Sequence, residues 1–135
     1  MQLELSKKEF RRLLDMVYIG NWILNSTRGE DRFRDYDQVE SLLFEKARKE
    51  GMEILAETYQ GETVPSRAFV EGGIHEAILE YENTAFFEIL AEELARRDMM
   101  EESADPGSVE ELASRIDDYI VEFEQHGIDH ISFDE

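Results

Sequence analysis

Residues 74–98 form the most helix-favouring and most apolar run in this chain, and any fold it adopts has to bury one face of that run. Ile74, Ile78 and Tyr81 recur at spacings of four and three, with Ala77 beside them. Phe86, Leu90 and Leu94 recur at four, and Phe87 and Ala91 widen the stripe. Asn83-Thr84 falls between the two sets, and both residue types are favoured at helix N-termini. The pattern predicts two helices, 74–82 and 84–98, meeting at a corner, with Phe86, Phe87, Leu90 and Leu94 at the centre of the core.

The flanking segments carry their own start and stop signals. Ser6 and Glu9 have capping-box spacing, and so do Asp35 with Gln38 and Ser108 with Glu111. The first opens a helix whose stripe is Phe10, Leu13, Leu14, Val17 and Tyr18; Leu5 is placed to staple Phe10. Gly20-Asn21-Trp22 interrupts that pattern, and close approach of another helix would account for Gly20. The second helix is expected to bury Val39, Leu42, Leu43 and Ala47 and to stop at Gly51. Residues 52–60 fit a short helix better than a strand. Pro65 introduces a short helix from Ser66 to about Val70, and Gly72-Gly73 breaks the chain again. A polar linker with a Pro-Gly turn occupies 101–107. The last helix then presents Val109, Leu112, Ile116, Tyr119, Ile120 and Phe123 before Gly127.

Charge is the one extreme of composition. The net charge is −19, and residues 1–50 contribute nothing to it, with 10 basic and 10 acidic side chains; the 23 acidic and 4 basic residues after Gly51 hold the entire excess. Such a surface repels nucleic-acid phosphates and anionic lipid, and it suits either solubility or a basic protein partner. Lys7, Lys8, Arg11 and Arg12 crowd the start of the first helix and read first as a solvated face. Arg28, Arg32 and Arg34, with Phe33 and Tyr36, resemble a basic–aromatic patch; the interleaved Glu30, Asp31, Asp35 and Asp37 make a salt-bridged loop the first reading. The absence of cysteine excludes disulfides and thiolate chemistry and fits a cytoplasmic setting. No run approaches the length of a membrane span, and the first residues lack the pattern of a signal peptide.

No phosphate-binding glycine loop or nucleophile–base pattern is readable, so no catalytic residue and no cofactor is assigned. Two sets have metal-ligand chemistry without a complete motif. One is His75, Glu76 and Glu80 with Glu88 and Glu92, where i,i+4 carboxylates share a helical face. The other is His126, Asp129, His130 and Asp134 at the tail. In so acidic a chain such pairs arise by chance, and neither set is assigned as a site.

These observations predict an all-α fold, a compact bundle-like packing of five or six helices in one acidic domain over residues 1–135. The alternative adds a minor two-stranded element from 52–60 and 128–133. The leading functional reading is a non-enzymatic protein-interaction or regulatory module. Its acidic surface on the last helix (Glu110, Glu111, Asp117, Asp118, Glu122, Glu124) would meet a basic partner, and it binds neither nucleic acid directly nor membrane. The alternatives are a metal-binding protein or metal-dependent enzyme built on the Glu/His sets, and a homo-oligomeric structural protein.

Overall fold

The computed structural model describes residues 1–102 and 108–133; the expected Pro106-Gly107 turn and Asp134 lie outside them. The fold is helix-dominated with one small sheet, as the composition of the elements predicts. Among the described residues there are four long α-helices and one single-turn α-helix, at the low end of the expected number, with a further single 3-10 turn at Glu53–Leu55. The chain divides into two compact units, Met1–Ile78 and Leu79–Glu135.

The first unit begins with α1, Lys7–Asn25, capped by the complete box: Glu9 N–H donates to Ser6 Oγ (3.1 Å) and Ser6 N–H to Glu9 Oε1 (3.0 Å). The helix runs straight through Gly20, and a Cβ there would meet nothing within 4 Å. Close helix approach is therefore not the reason for that glycine. The second helix, α2, spans Arg34–Lys49 and starts one residue before the expected Asp35 cap, with no side-chain cap bond. Asp35 instead accepts from the Tyr36 N–H (2.9 Å). The buried face of α2 is also rotated from the expected one: Phe44 and Ala47 are buried, while Val39 and Leu42 are exposed. The inward positions recur at Glu40, Leu43, Phe44 and Ala47, and the charged Glu40 masked this register in the apolar pattern.

Residues 52–60 do not make a helix beyond a single turn at Glu53–Leu55. They supply β1, Ala56–Tyr59, which pairs antiparallel with β2, Glu62–Pro65, in the register Ala56↔Pro65 to Tyr59↔Glu62. The second strand is thus the adjacent segment and not 128–133, which is turn and coil. Gln60 and Gly61 both take positive φ (51° and 81°), the requirement of a two-residue hairpin turn whose twist matches the strands. Ser66 then caps α3, Arg67–Phe69, accepting from the Phe69 N–H (3.1 Å) while donating to the Ile54 carbonyl (2.6 Å). A wide turn over Val70–Ile74, with Gly73 at φ +110°, leads into the next helix. The core of this unit is Leu14, Tyr18, Phe44, Ala47, Ala56, Phe69 and Ile78. Phe69 meets Phe44 edge-on at 4.9 Å and Tyr18 at 5.3 Å. Each fully buried ring here stabilises the unit by about 1.5–3 kcal/mol relative to exposure.

The next helix, α4, is one continuous element, His75–Glu101, and not two helices broken at Asn83-Thr84. Mid-helix Asn and Thr each cost only a few tenths of a kcal/mol, roughly, against the hydrogen bonds a break would lose. In the second unit α4 packs with α5, Val109–His126, which is capped by Ser108 accepting from Glu111 N–H (3.3 Å). The buried side chains are Ala91, Ala95, Met99 and Phe123, with Phe87 against Phe123 at 5.4 Å. Phe86, expected at the centre of the core, is 52% exposed. Leu112, Ile116, Tyr119 and Ile120 are half-buried as their spacing implies, whereas Val109 is exposed. No described helix is long and apolar enough to cross a membrane.

Candidate functional site

In the first unit, polar side chains converge where α1 faces α2. Asn25 is buried and donates to Asn21 Oδ1 (2.6 Å) and to the Phe33 carbonyl (3.0 Å), while its own Oδ1 accepts from Phe33 N–H (2.7 Å). Asn21 donates to Asp37 (3.0 Å), and Arg32 grips the same carboxylate with both arms, at 2.6 and 2.9 Å. The Arg32 hydrogen bond holds the Asp37 carboxyl below its usual range. A cleft of about 380 Å³ opens beside this network, lined by Tyr18, Arg32, Asp37, Glu40, Val64 and Val70 among others. Burial pushes the Glu40 carboxyl up to about 7, and the negative Asp37 adds to the rise, while Asn21 and Arg32 oppose it. Burial likewise raises the Tyr18 hydroxyl, with Glu40 adding to it. Arg32 and Asp37 are already engaged with each other, so the network ties the α1–α2 loop to both helices. The sequence reading identifies neither the cleft nor Glu40; the available signal is a lone Glu inside what the structure shows to be an inward helix register.

His75, weighed with Glu76 and Glu80 in the sequence but not assigned, is half-buried, with Nε2 2.6 Å from the Tyr18 hydroxyl and its ring edge-on to Trp22 at 4.7 Å. Glu76, Glu80 and Glu88 are exposed, and Glu92 is paired with Arg96 at 2.7 Å. The basic–aromatic loop is salt-bridged, through Arg28 with Asp31 (3.0 Å) and Arg32 with Asp37, and Arg28 also lies over the Phe33 ring at 4.2 Å.

In the second unit, Glu122, His126 and His130 are the only three metal-ligating side chains brought within 4.8 Å of one another among the described residues. His126 and His130 belong to the tail set read from sequence; Glu122, assigned there to the acidic face of α5, replaces Asp129 as their neighbour. Gly127 ends α5 with φ +55° and ψ −131°, and its N–H donates to the Phe123 carbonyl (2.8 Å). The reversal returns His130 over the last helical turn, with Nδ1 2.5 Å from Glu122 Oε1 and the two imidazoles 4.1 Å apart.

The six α5 carboxylates do not form one face. At about 100° per residue, Glu110, Asp117 and Glu124 share one narrow arc with the half-exposed Val121, while Glu111, Asp118 and Glu122 lie on a flank. Glu111 is neutralised by Arg115 (2.7 Å), which also holds Glu102 (2.5 Å).

Helix α4 shows a second apolar face. Leu79, Phe86, Ile89 and Met100 are 62%, 52%, 61% and 78% exposed. They fall within an arc of about 80°, roughly opposite the side that carries the buried Ala91 and Ala95. Glu82, Glu93 and Arg97 lie on the same arc and Arg96 at its edge; Arg96 and Arg97 are tied to Glu92 and Asp98. No protein-family model, curated protein or solved structure matches this chain.

Proposed function

We propose that this protein is a non-enzymatic interaction module of the cytoplasm, and that the exposed stripe of α4 receives a basic, amphipathic segment of another protein. The observation that carries this reading is the two-faced character of α4. A helix in a two-helix unit needs one apolar face, and a second set of exposed apolar side chains on the opposite side, interspersed with charged ones, supports the reading of a surface that a partner covers. Leu79, Phe86, Ile89 and Met100 would take the partner's apolar side chains, and Glu82 and Glu93 its lysines or arginines. Charge favours such a partner over a second copy, because a second copy brings another −19 to the interface. The acid-rich α5 arc of Glu110, Asp117 and Glu124 adds long-range attraction and speeds encounter.

The test is calorimetric titration with two synthetic peptides of identical Leu and Lys content, one ordered as an amphipathic helix and one scrambled. The amphipathic peptide is expected to bind at least about tenfold more tightly, and binding is expected to weaken as salt rises past the screening range. The Phe86→Ser/Ile89→Ser variant is expected to erase the difference between peptides. Equal binding of both peptides, or full retention by the variant, overturns the proposal. So does a concentration-dependent dimer in sedimentation that the same variant abolishes, since it would assign the stripe to a second copy.

A further inference from the structure

We propose that Glu122, His126 and His130 bind one borderline divalent transition-metal ion, of the Zn2+ or Ni2+ class. The donor set is two neutral-imidazole nitrogens and one carboxylate oxygen, which suits these ions and leaves a coordination position open. Glu122 and His126 stand one helical turn apart on α5, with His126 Nε2 3.9 Å from Glu122 Oε2. His130 comes from beyond the helix and meets the same carboxylate only because Gly127 turns the chain back. Sequence spacing alone does not create this triad.

Metal–nitrogen and metal–oxygen bonds of about 2.0–2.2 Å set tetrahedral ligand atoms about 3.3 Å apart. The three ligand atoms already lie within 4.8 Å of one another on exposed or half-exposed side chains, whose rotation would bring them to that spacing. Two further features favour a cation there. The C-terminal carbonyls of α5 present the negative end of the helix dipole, and the carboxylates of Glu124 and Asp129 stand close in sequence. Three of the ligand contacts a metal needs are thus provided on one side, and solvent completes the shell. A bound ion would pin the turn after Gly127 to the last turn of α5.

The experiment uses the full chain and Zn2+ alone, by calorimetry and by thermal melting at neutral pH. One ion per chain is expected, with a higher melting temperature in its presence. His126→Ala and His130→Ala are each expected to weaken binding at least about tenfold, and Glu122→Gln to weaken it similarly. His75→Ala removes the third histidine of the chain, whose ring contacts Tyr18, and is expected to leave zinc affinity unchanged. Circular dichroism of each variant checks that α5 is intact. Absence of binding by the folded wild-type chain overturns the proposal, as does binding that survives the His126→Ala/His130→Ala pair.

Discussion

Replacing Glu40 by glutamine should stabilise this protein at neutral and alkaline pH and do little in acid. Glu40 faces α1 from α2, beside Asn21, Asp37, Arg32 and Tyr18, and burial raises its carboxyl from 4.5 to about 7. The folded chain therefore binds this proton more tightly than the unfolded chain. Below the unfolded value both states are protonated and no cost arises; between that value and about 7 the unfolded chain releases a proton that the folded chain keeps, so stability falls, and above about 7 the loss is complete because the folded state too must ionise its poorly solvated group. The full linkage value of that rise is about 3 kcal/mol. Water reaches part of this carboxylate, which reduces the expected effect to roughly 1–2 kcal/mol. Glutamine keeps the shape and the acceptor oxygen next to Asn21 and removes the charge. Urea unfolding of both chains should give matching midpoints near the unfolded pKa. At mildly alkaline pH the variant's midpoint should lie higher by on the order of 1 M, given a slope of about 1–2 kcal/mol/M. A difference that does not change with pH, or a variant that is less stable in alkali, would refute the assignment of the cost to Glu40 ionisation.

Other substitutions probe the remaining contacts. Phe44→Ala empties a fully buried position against Phe69 and should cost about 3–5 kcal/mol in chemical denaturation. Asn25→Ala strands the Phe33 N–H and carbonyl beside a buried site, and a loss of about 1–3 kcal/mol is expected in the same assay. Tyr119→Phe removes the hydroxyl that donates to Asp98 and holds that carboxyl below its usual range. Because a lowered acid pKa contributes stability that disappears as pH falls through it, the variant should lose about 0.5–1.5 kcal/mol at neutral pH and less in strong acid. Ser6→Ala, which deletes the Ser6 side-chain half of the capping box on α1, should cost about 1 kcal/mol.

The helices were legible where local chemistry decides them. Ser6-x-x-Glu9 and Ser108 start α1 and α5 where the capping pattern puts them, because a cap depends on neighbours three residues away. Gly51 and Gly127 take the positive φ that ends their helices. The failures turn on context that local patterns do not carry. Phe44, not Val39 or Leu42, turns inward on α2 because Phe69 waits there from α3. The strand at 56–59 forms because its neighbour at 62–65 folds back on a Gln60-Gly61 turn, whose first residue gave no warning of a positive φ. Asn83-Thr84 kept its helix because nothing forces a corner on α4. The site residues follow the same division. Both tail histidines were visible as ligand types, but joining them to Glu122 needed the reversal at Gly127, and the inward Glu40 needed the register of α2.

The thin interface between α4 and α5 has a kinetic corollary. Beyond Phe87, the deepest contacts of the second unit come from two alanines, one methionine and one phenylalanine, whereas the first unit encloses three aromatic rings and a leucine. Native-state hydrogen exchange should therefore resolve two cooperative openings of unequal free energy, with the amides of α5 exchanging through the lower one and those of α1 and α2 waiting for the higher. A molecule seated on Phe86 and Ile89 would slow the first class of amides and leave the second untouched, so the exchange pattern itself would report where binding occurs.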